Sequence, residues 1–183
     1  MLGLFMSDRP FEASYVISTS AGLCGLWQPE HFGHVTSLDA WEDDVSEESA
    51  LERHIIAGAF VPLNVGGDGS FQVTIRTGAR TSREARYTIV SSQPYFLISK
   101  GLVALGGLEN IGTYVGGAEE VSFTAGRYAL VIHLIDWKAE PGSVADSGGP
   151  TESALPDFVV EVAPAAGIET VFRTKSETFD RPE

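Results

Sequence analysis

The first candidate for a functional site in this chain is a run of acidic residues around a tryptophan. Trp41 lies among seven acidic side chains: Asp39, Glu42, Asp43, Asp44, Glu47, Glu48 and Glu52. Such a surface is suited to holding a basic protein, because the ring supplies contact area and the charges speed association. We therefore predict a partner-binding surface made of Trp41, Asp43, Asp44, Glu47 and Glu48. A solvated face that only aids solubility is the alternative.

A histidine in the most apolar stretch of the chain is the second candidate for chemistry. His133 precedes Asp136 within Arg127–Trp137, and a histidine–carboxylate pair could serve a hydrolase as general base. Successive side chains of a strand point to opposite faces, so these two would meet only at a bulge or a strand end. The alternative, which this geometry favours, is a histidine hydrogen-bonded in or beside the core.

Two further sets of residues have weaker chemical potential. His31 and His34 lie close together, with Glu30 adjacent and Asp39 downstream, but a metal site usually needs three or four ligands with matched geometry. Cys24 could act as a nucleophile only with a neighbouring base and a lowered pKa, and its apolar neighbours predict a small buried residue instead. We expect no metal site and no cofactor.

Aromatic side chains outside the acidic run give an alternative function. Antiparallel sandwich proteins often hold sugars or other small molecules on aromatic side chains, in loops or on a concave face. Trp27, Tyr95 and Trp137 are the candidates for such a ligand-binding surface. This hypothesis requires that the three rings line an open cleft.

The net charge of −13, from 25 acidic and 12 basic residues, restricts the partners. A nucleic-acid surface needs clustered lysine and arginine, so neither nucleic acid nor an acidic membrane surface is an expected partner. One cysteine allows no intramolecular disulfide. The sequence shows no signal segment and no apolar run of the roughly 20 residues that span a bilayer. We therefore predict a cytoplasmic protein, with Met6 as an alternative start to Met1.

The secondary structure that the sequence predicts around these residues is mostly strand. Arg127–Trp137 and Leu155–Ala163 are apolar, β-branched and bounded by turn residues, as buried strands are. Phe60–Val65 and Ser70–Arg76 flank a glycine-rich turn at 66–69, which predicts a hairpin. One helix is predicted over Ser46–Ala57, with acids in its first turn.

This pattern of elements predicts a mainly β fold. About eight to ten short strands without strand–helix alternation are typical of an antiparallel β-sandwich or partly open barrel, here with one short helix. The expected organisation is an extension over residues 1–11, one sandwich domain over 12–164, and a polar, partly disordered tail over 165–183 with an edge strand at Ile168–Phe172. Exposed sheet edges would also allow a homodimer.

Three segments together resemble a group of uncharacterised bacterial proteins of unknown function. They are the acidic WEDD segment Trp41–Asp44, the VGGDGSFQVTI segment Val65–Ile75, and Gly126–Val160, which begins GRYALVIHLIDW and ends ALPDFVV. The resemblance covers Ser14–Pro164. Such proteins are encoded near polymorphic-toxin or immunity loci, so the resemblance implies a non-catalytic interaction protein, an immunity-type or accessory factor that binds a basic partner.

Overall fold

Short runs in which apolar side chains recur at every second position build the strands of this protein. The computed structural model describes residues 11–165 and 170–176. The strands of this part, numbered in chain order, are β1 (Glu12–Thr19), β2 (Cys24–Trp27), β3 (Phe60–Leu63), β4 (Gly69–Thr77), β5 (Thr88–Ser91), β6 (Tyr95–Ser99), β7 (Leu102–Gly107), β8 (Glu119–Ser122), β9 (Gly126–Ile135) and β10 (Phe158–Pro164).

The strands form two sheets. The first is mixed, with the order β1–β4–β10–β9, and its far edge is shared by β5 and β6, which pair with successive halves of β9. The second is antiparallel, with the order β3–β2–β7–β8. Among the described strands only β4 and β10 pair in parallel, with Phe158 opposite Val73. The predicted mainly β, two-sheet fold is therefore confirmed, with one parallel pair in its first sheet.

One hydrophobic core lies between the two sheets. Val73, Val160 and Ile132 face inward from the first sheet, and Leu26 and Leu105 face them from the second; all five are fully buried. Removal of apolar surface from water is the main stabilising contribution to such a fold. This core fixes the strands whose edges and outer faces carry the candidate sites.

Helical structure is more extensive than the single helix expected from the sequence. α1 (Leu38–Trp41) continues into a wide π turn, Glu42–Ser46, and α2 (Glu48–Ile56) follows after the extended residue Glu47. A second helix that the sequence analysis does not predict, α3 (Ser82–Arg86), has its first turn closed by a reciprocal capping box. Thr81 and Glu84, the two residues of this capping box, lie three positions apart and are the sequence signal that indicates this helix.

The hairpin expected from Phe60–Val65 and Ser70–Arg76 is wrong. Both strands exist, as β3 and β4, but β3 pairs with β2 in the second sheet, whereas β4 pairs with β1 and β10 in the first. The glycine-rich turn at 66–69 therefore carries the chain from one sheet to the other. A local turn signal does not specify pairing, because the sheet that buries a strand's apolar face decides its neighbours.

Residues 170–176 contact the beginning of β6. The Tyr95 hydroxyl donates a 2.7 Å hydrogen bond to the Lys175 carbonyl oxygen, and the Phe172 and Phe96 ring centroids lie 5.2 Å apart. Residues 170–172, the described part of the expected strand Ile168–Phe172, form no strand. Expectations for residues 1–10, 166–169 and 177–183 lie outside the described residues. Within the described ranges, no helix is long and apolar enough to cross a membrane.

Candidate partner-binding surface

The acidic run forms the solvent-facing side of α1, the π turn and α2. Ser37 caps α1 by accepting a hydrogen bond from the Ala40 N–H, while Val45 and Ile55 hold the segment on the core. Five of its carboxylates are exposed, and no described residue makes an ion pair with them. They are termed the acidic face: Asp39, Glu42, Asp43, Glu47 and Glu48. Three of the five predicted contact residues, Asp43, Glu47 and Glu48, therefore lie on one exposed segment.

Trp41 lies beneath this surface rather than standing out from it. Its ring is half-buried against the hydrophobic core. Its Nε1 donates a 3.0 Å hydrogen bond to the carbonyl oxygen of Leu108. The indole therefore ties the end of α1 to the turn that follows β7, and only part of its ring is available to a partner.

Asp44 is held inside a cluster of basic side chains. Its Oδ2 lies 2.6 Å from His34 Nε2, and its Oδ1 lies 3.4 Å from both Arg53 Nη2 and His54 Nε2. Partial burial by itself would raise the pKa of this carboxyl, but the His34 hydrogen bond and the nearby His54 and Arg53 charges hold it below its ordinary value. Asp44 thus fixes the junction between the π turn and α2.

The buried centre of this cluster is His54, which sequence reasoning did not select. Its Nδ1 lies 2.9 Å from His31 Nε2, and its Nε2 lies 2.8 Å from the Asp44 carbonyl oxygen. The signal that could have found it is its spacing of four residues from Ala50, which places both on the buried side of α2. His54 supports the acidic face from below.

The metal and nucleophile alternatives lack their required geometry. His31 contacts His54, and His34 contacts Asp44, so the two histidines do not converge. No group of three or more His, Cys, Asp or Glu in residues 11–165 and 170–176 is arranged to hold a metal ion. Cys24 is fully buried, and burial together with the nearby Glu109 charge raises the pKa of its thiol to about 12. That thiol remains protonated and unreactive at neutral pH.

His133 is the buried, hydrogen-bonded histidine that strand geometry favours, and the alternative of a dyad with Asp136 lacks its required contact. His133 is buried on the outer side of the first sheet, where its Nδ1 is hydrogen-bonded to Ser91 Oγ at 2.6 Å. Its Nε2 lies 3.1 Å from Glu161 Oε1, in an approach not aligned for a hydrogen bond. Asp136 follows the end of β9, where its backbone N–H donates to the Tyr87 carbonyl oxygen. Because side chains alternate along a strand, Ser91 and Glu161 on the flanking strands became the partners of His133.

The rings proposed for a small ligand do not line a cleft. Trp27, Tyr95 and Trp137 are 2%, 0% and 7% exposed. Tyr95 and Trp137 also use their polar atoms internally, since the Trp137 Nε1 donates to Asp157 Oδ1 and the Tyr95 hydroxyl donates to the tail. Trp27 and Tyr95 therefore pack in the core between the sheets, Trp137 packs in a separate small cluster with Val159, and none of the three presents a stacking surface to a ligand.

Fold and surface together describe a two-sheet, mainly β protein that presents exposed acids on a helical segment. The fold is similar to that of a solved protein titled crocagin biosynthetic gene J, with a TM-score of 0.58, 15% sequence identity, and coverage of 86% of this chain and 99% of that one. A second solved structure is ComJ, an inhibitor of the DNA-degrading activity of NucA from Bacillus subtilis. It aligns with a TM-score of 0.44 and 11% identity over 87% of this chain and 98% of that one. No protein-family model and no curated protein sequence matches the chain.

Proposed function

We propose that this protein is a non-catalytic protein-binding module whose acidic face docks on a basic partner protein. The observation that supports this proposal most is the segregation of charge. Five basic side chains form ion pairs with acids of the same chain, in the pairs Arg53–Asp44, Arg76–Glu84, Arg80–Glu161, Arg83–Glu140 and Lys100–Glu30. The acidic face has no such partners among the described residues, so its negative potential is directed outward.

The residues beneath the acidic face would act by positioning it. Asp44 and His54 hold the π turn to α2, and Trp41 holds α1 to the second sheet. Asp43, Glu47 and Glu48 are then the contact residues on a backbone that is already fixed. A pre-formed surface loses little conformational entropy on binding, which leaves more of the electrostatic attraction as affinity.

The finer form of the proposal is a cytoplasmic immunity-type or accessory factor. It rests on the resemblance carried by Trp41–Asp44, Val65–Ile75 and Gly126–Val160. Negative potential on a small rigid protein is suited to capturing a cationic partner quickly, since charge complementarity raises the association rate.

Affinity capture from the native organism tests the proposal with three tagged proteins. They are the unmodified chain, the face variant Asp43→Lys/Glu47→Lys/Glu48→Lys, and a control variant Asp68→Lys/Asp146→Lys/Glu152→Lys built from exposed acids elsewhere. Both variants have a net charge of −7 instead of −13, because each reversal adds two positive charges. Bound proteins are eluted by a salt step and identified by mass spectrometry.

The proposal expects a basic protein on the unmodified chain and on the control variant, with roughly tenfold or greater loss on the face variant. Retention of the same protein by all three would show that the acidic face only solubilises the molecule. Thermal melting of each variant before the capture excludes unfolding as the cause of a loss.

A further inference from the structure

The outer edge of β1 carries backbone groups that no other described strand uses. Phe11 accepts a hydrogen bond from the N–H of Thr77, the residue directly opposite it. In an antiparallel pair such bonding residues alternate, so Tyr15 and Ile17 point their backbone groups towards β4. The intervening residues Ser14, Val16 and Ser18 point theirs away from β4, towards the open side of the sandwich, where no described backbone group pairs with them.

A groove of about 280 Å³ runs along this edge, between β1 and the second sheet. Val16 and Ser18 line one wall of the groove, and Gly106 and Gly117 line it on the side of the second sheet. The groove's charged lining residues are both acids, Glu109 and Glu119.

The two acids are placed differently along the groove. Glu109 is fixed at the end of β1, because its carboxylate accepts hydrogen bonds from the Thr19 hydroxyl at 2.9 Å and the Ser20 N–H at 2.8 Å. Glu119 is exposed at the beginning of β8. A cation in the groove would therefore meet a fixed carboxylate at one end and an adjustable one on the facing wall.

β1 also lacks the features that usually protect a sheet edge. Natural edge strands are blocked by proline, lysine, bulges or very short length. β1 pairs regularly with β4 over eight residues without a bulge, and from Ala13 to Thr19 it contains no charged residue and no proline. Val16, 63% exposed, adds an apolar contact on the outer side of this edge.

We propose that an extended, lysine- or arginine-bearing segment of a partner protein adds to β1 as a further strand and seats its basic side chains in the groove. This inference rests on the proposed protein-binding function and adds a second contact to it. Backbone hydrogen bonds to Ser14, Val16 and Ser18 would supply affinity. Alternate side chains of the added strand would lie beside Val16 and over Glu109 and Glu119, so the preferred segment alternates apolar and basic residues.

Three synthetic peptides as long as β1, eight residues, test this proposal with the full chain. One alternates valine and lysine, the second alternates valine and glutamate, and the third is the lysine peptide with N-methyl groups on the backbone nitrogens that would face β1. Fluorescence anisotropy measures binding, and amide hydrogen exchange followed by NMR locates it. We expect binding of the unmethylated lysine peptide, and slower exchange at Ser14, Val16 and Ser18 in its presence.

Two variants with matched controls separate the backbone contribution from the charge contribution. Val16→Pro removes an outward N–H without removing a bond to β4, and proline is tolerated at such edge positions; Val16→Ala keeps that N–H. Glu119→Gln removes a groove charge, whereas Glu120→Gln changes the neighbouring acid on the opposite face of β8. We expect roughly threefold to tenfold weaker binding for Val16→Pro and Glu119→Gln, and less than twofold change for the controls.

Equal binding of the N-methylated and unmethylated lysine peptides would overturn strand addition, as would no binding of either. A dimer of the protein that pairs through β1 in sedimentation experiments would also overturn the proposal, because a second copy would then occupy the edge. If the peptides fail to add to β1 but a basic protein is still captured through Asp43, Glu47 and Glu48, the proposed function stands without strand addition. If no basic protein is captured but the lysine peptide still binds at β1, the proposed function of the acidic face is wrong and strand addition stands.

Discussion

At the scale of single residues, neighbouring acids of one run have different roles. Asp43 is exposed without an ion pair to any described residue, whereas Asp44 contacts His34, Arg53 and His54. A carboxylate that holds several partners contributes more to stability than an isolated surface charge, because its loss leaves those partners without an acceptor. Two neighbouring aspartates therefore differ in placement: Asp43 is open to solvent, and Asp44 holds the π turn against α2.

Asp44→Asn and Asp43→Asn form a matched pair that tests this difference. We expect Asp44→Asn to lower the free energy of unfolding by about 1–3 kcal/mol, because the buried His54 and the neighbouring His34 lose a charged partner. Asp43→Asn is expected to change it by less than about 0.5 kcal/mol. Urea denaturation at neutral pH measures both. Equal stability of the two variants would contradict the positioning role of Asp44.

The lowered pKa of His133 in the folded protein makes the free energy of unfolding depend on pH. Burial lowers its pKa from the ordinary value of 6.5, although Glu161 acts in the opposite direction. The unfolded chain therefore binds a proton near pH 6.5 that the folded chain does not. The free energy of unfolding contains a contribution from His133 that is complete above that pH and declines as the pH falls through it. The lowered pKa of His31, caused by burial and His54, acts in the same direction.

Thermal melting of wild type and His133→Asn at about pH 7.5 and about pH 5.5 measures this contribution. We expect a larger fall in Tm on acidification for the wild type, at roughly 2–4 °C for each kcal/mol lost. The comparison between the two proteins cancels the shared change in net charge. An identical fall in both would show that His133 is not the titrating group.

At the scale of elements, the close approach of β2 and β3 requires a glycine, Gly25, at their contact. β2 and β3 pair with Gly25 opposite Pro62, and a Cβ atom at position 25 would lie 2.5 Å from Phe60 Cε2 and 2.9 Å from the Val61 carbonyl oxygen. The backbone oxygen cannot move away without disturbing the pairing. Glycine at this position is therefore required by packing in the second sheet.

Gly25→Ala is expected to lower the free energy of unfolding by about 1–3 kcal/mol, the usual effect of overpacking a core. Gly67→Ala is the control, since a Cβ atom there meets nothing within 4 Å and the backbone has no positive φ. Chemical denaturation compares the two. A Gly25→Ala protein as stable as the control would contradict the close approach of β2 and β3.

The parts of this fold that depend on local interactions can be predicted from the sequence, and the parts that depend on distant contacts cannot. The strands Arg127–Trp137 and Ser70–Arg76 were predicted because apolar and β-branched residues mark strands locally, and they appear as β9 and β4. The π turn has no comparable local signal. The pairing of β4 with β10 joins residues far apart in sequence, so no turn rule could supply it.

The candidate surface shows the same limit. The acidic run and its helix were predictable from composition and from acids in the first turn. The engagement of Trp41 with Leu108, and of Asp44 with His34 and Arg53, depends on contacts across the fold. Sequence reasoning therefore located the segment and could not separate its exposed side chains from its supporting ones.

At the scale of the whole molecule, charge is unevenly distributed. Arg76, Arg80 and Arg83 neutralise acids around α3 and the outer side of the first sheet. The acidic face places five of the chain's 25 acidic side chains on the helical segment, where no described residue supplies a counterion. Long-range attraction of a basic partner would be directed to this side of the molecule.

The salt dependence of the dissociation constant for the purified captured partner shows whether the acidic face governs binding. It is compared between wild type, the Asp43→Lys/Glu47→Lys/Glu48→Lys variant and the equally charged Asp68→Lys/Asp146→Lys/Glu152→Lys control. We expect weaker binding and a shallower dependence on salt for the first variant, and wild-type behaviour for the control. Identical salt dependence for the two variants would contradict this expectation, because net charge alone, and not the acidic face, would then govern binding.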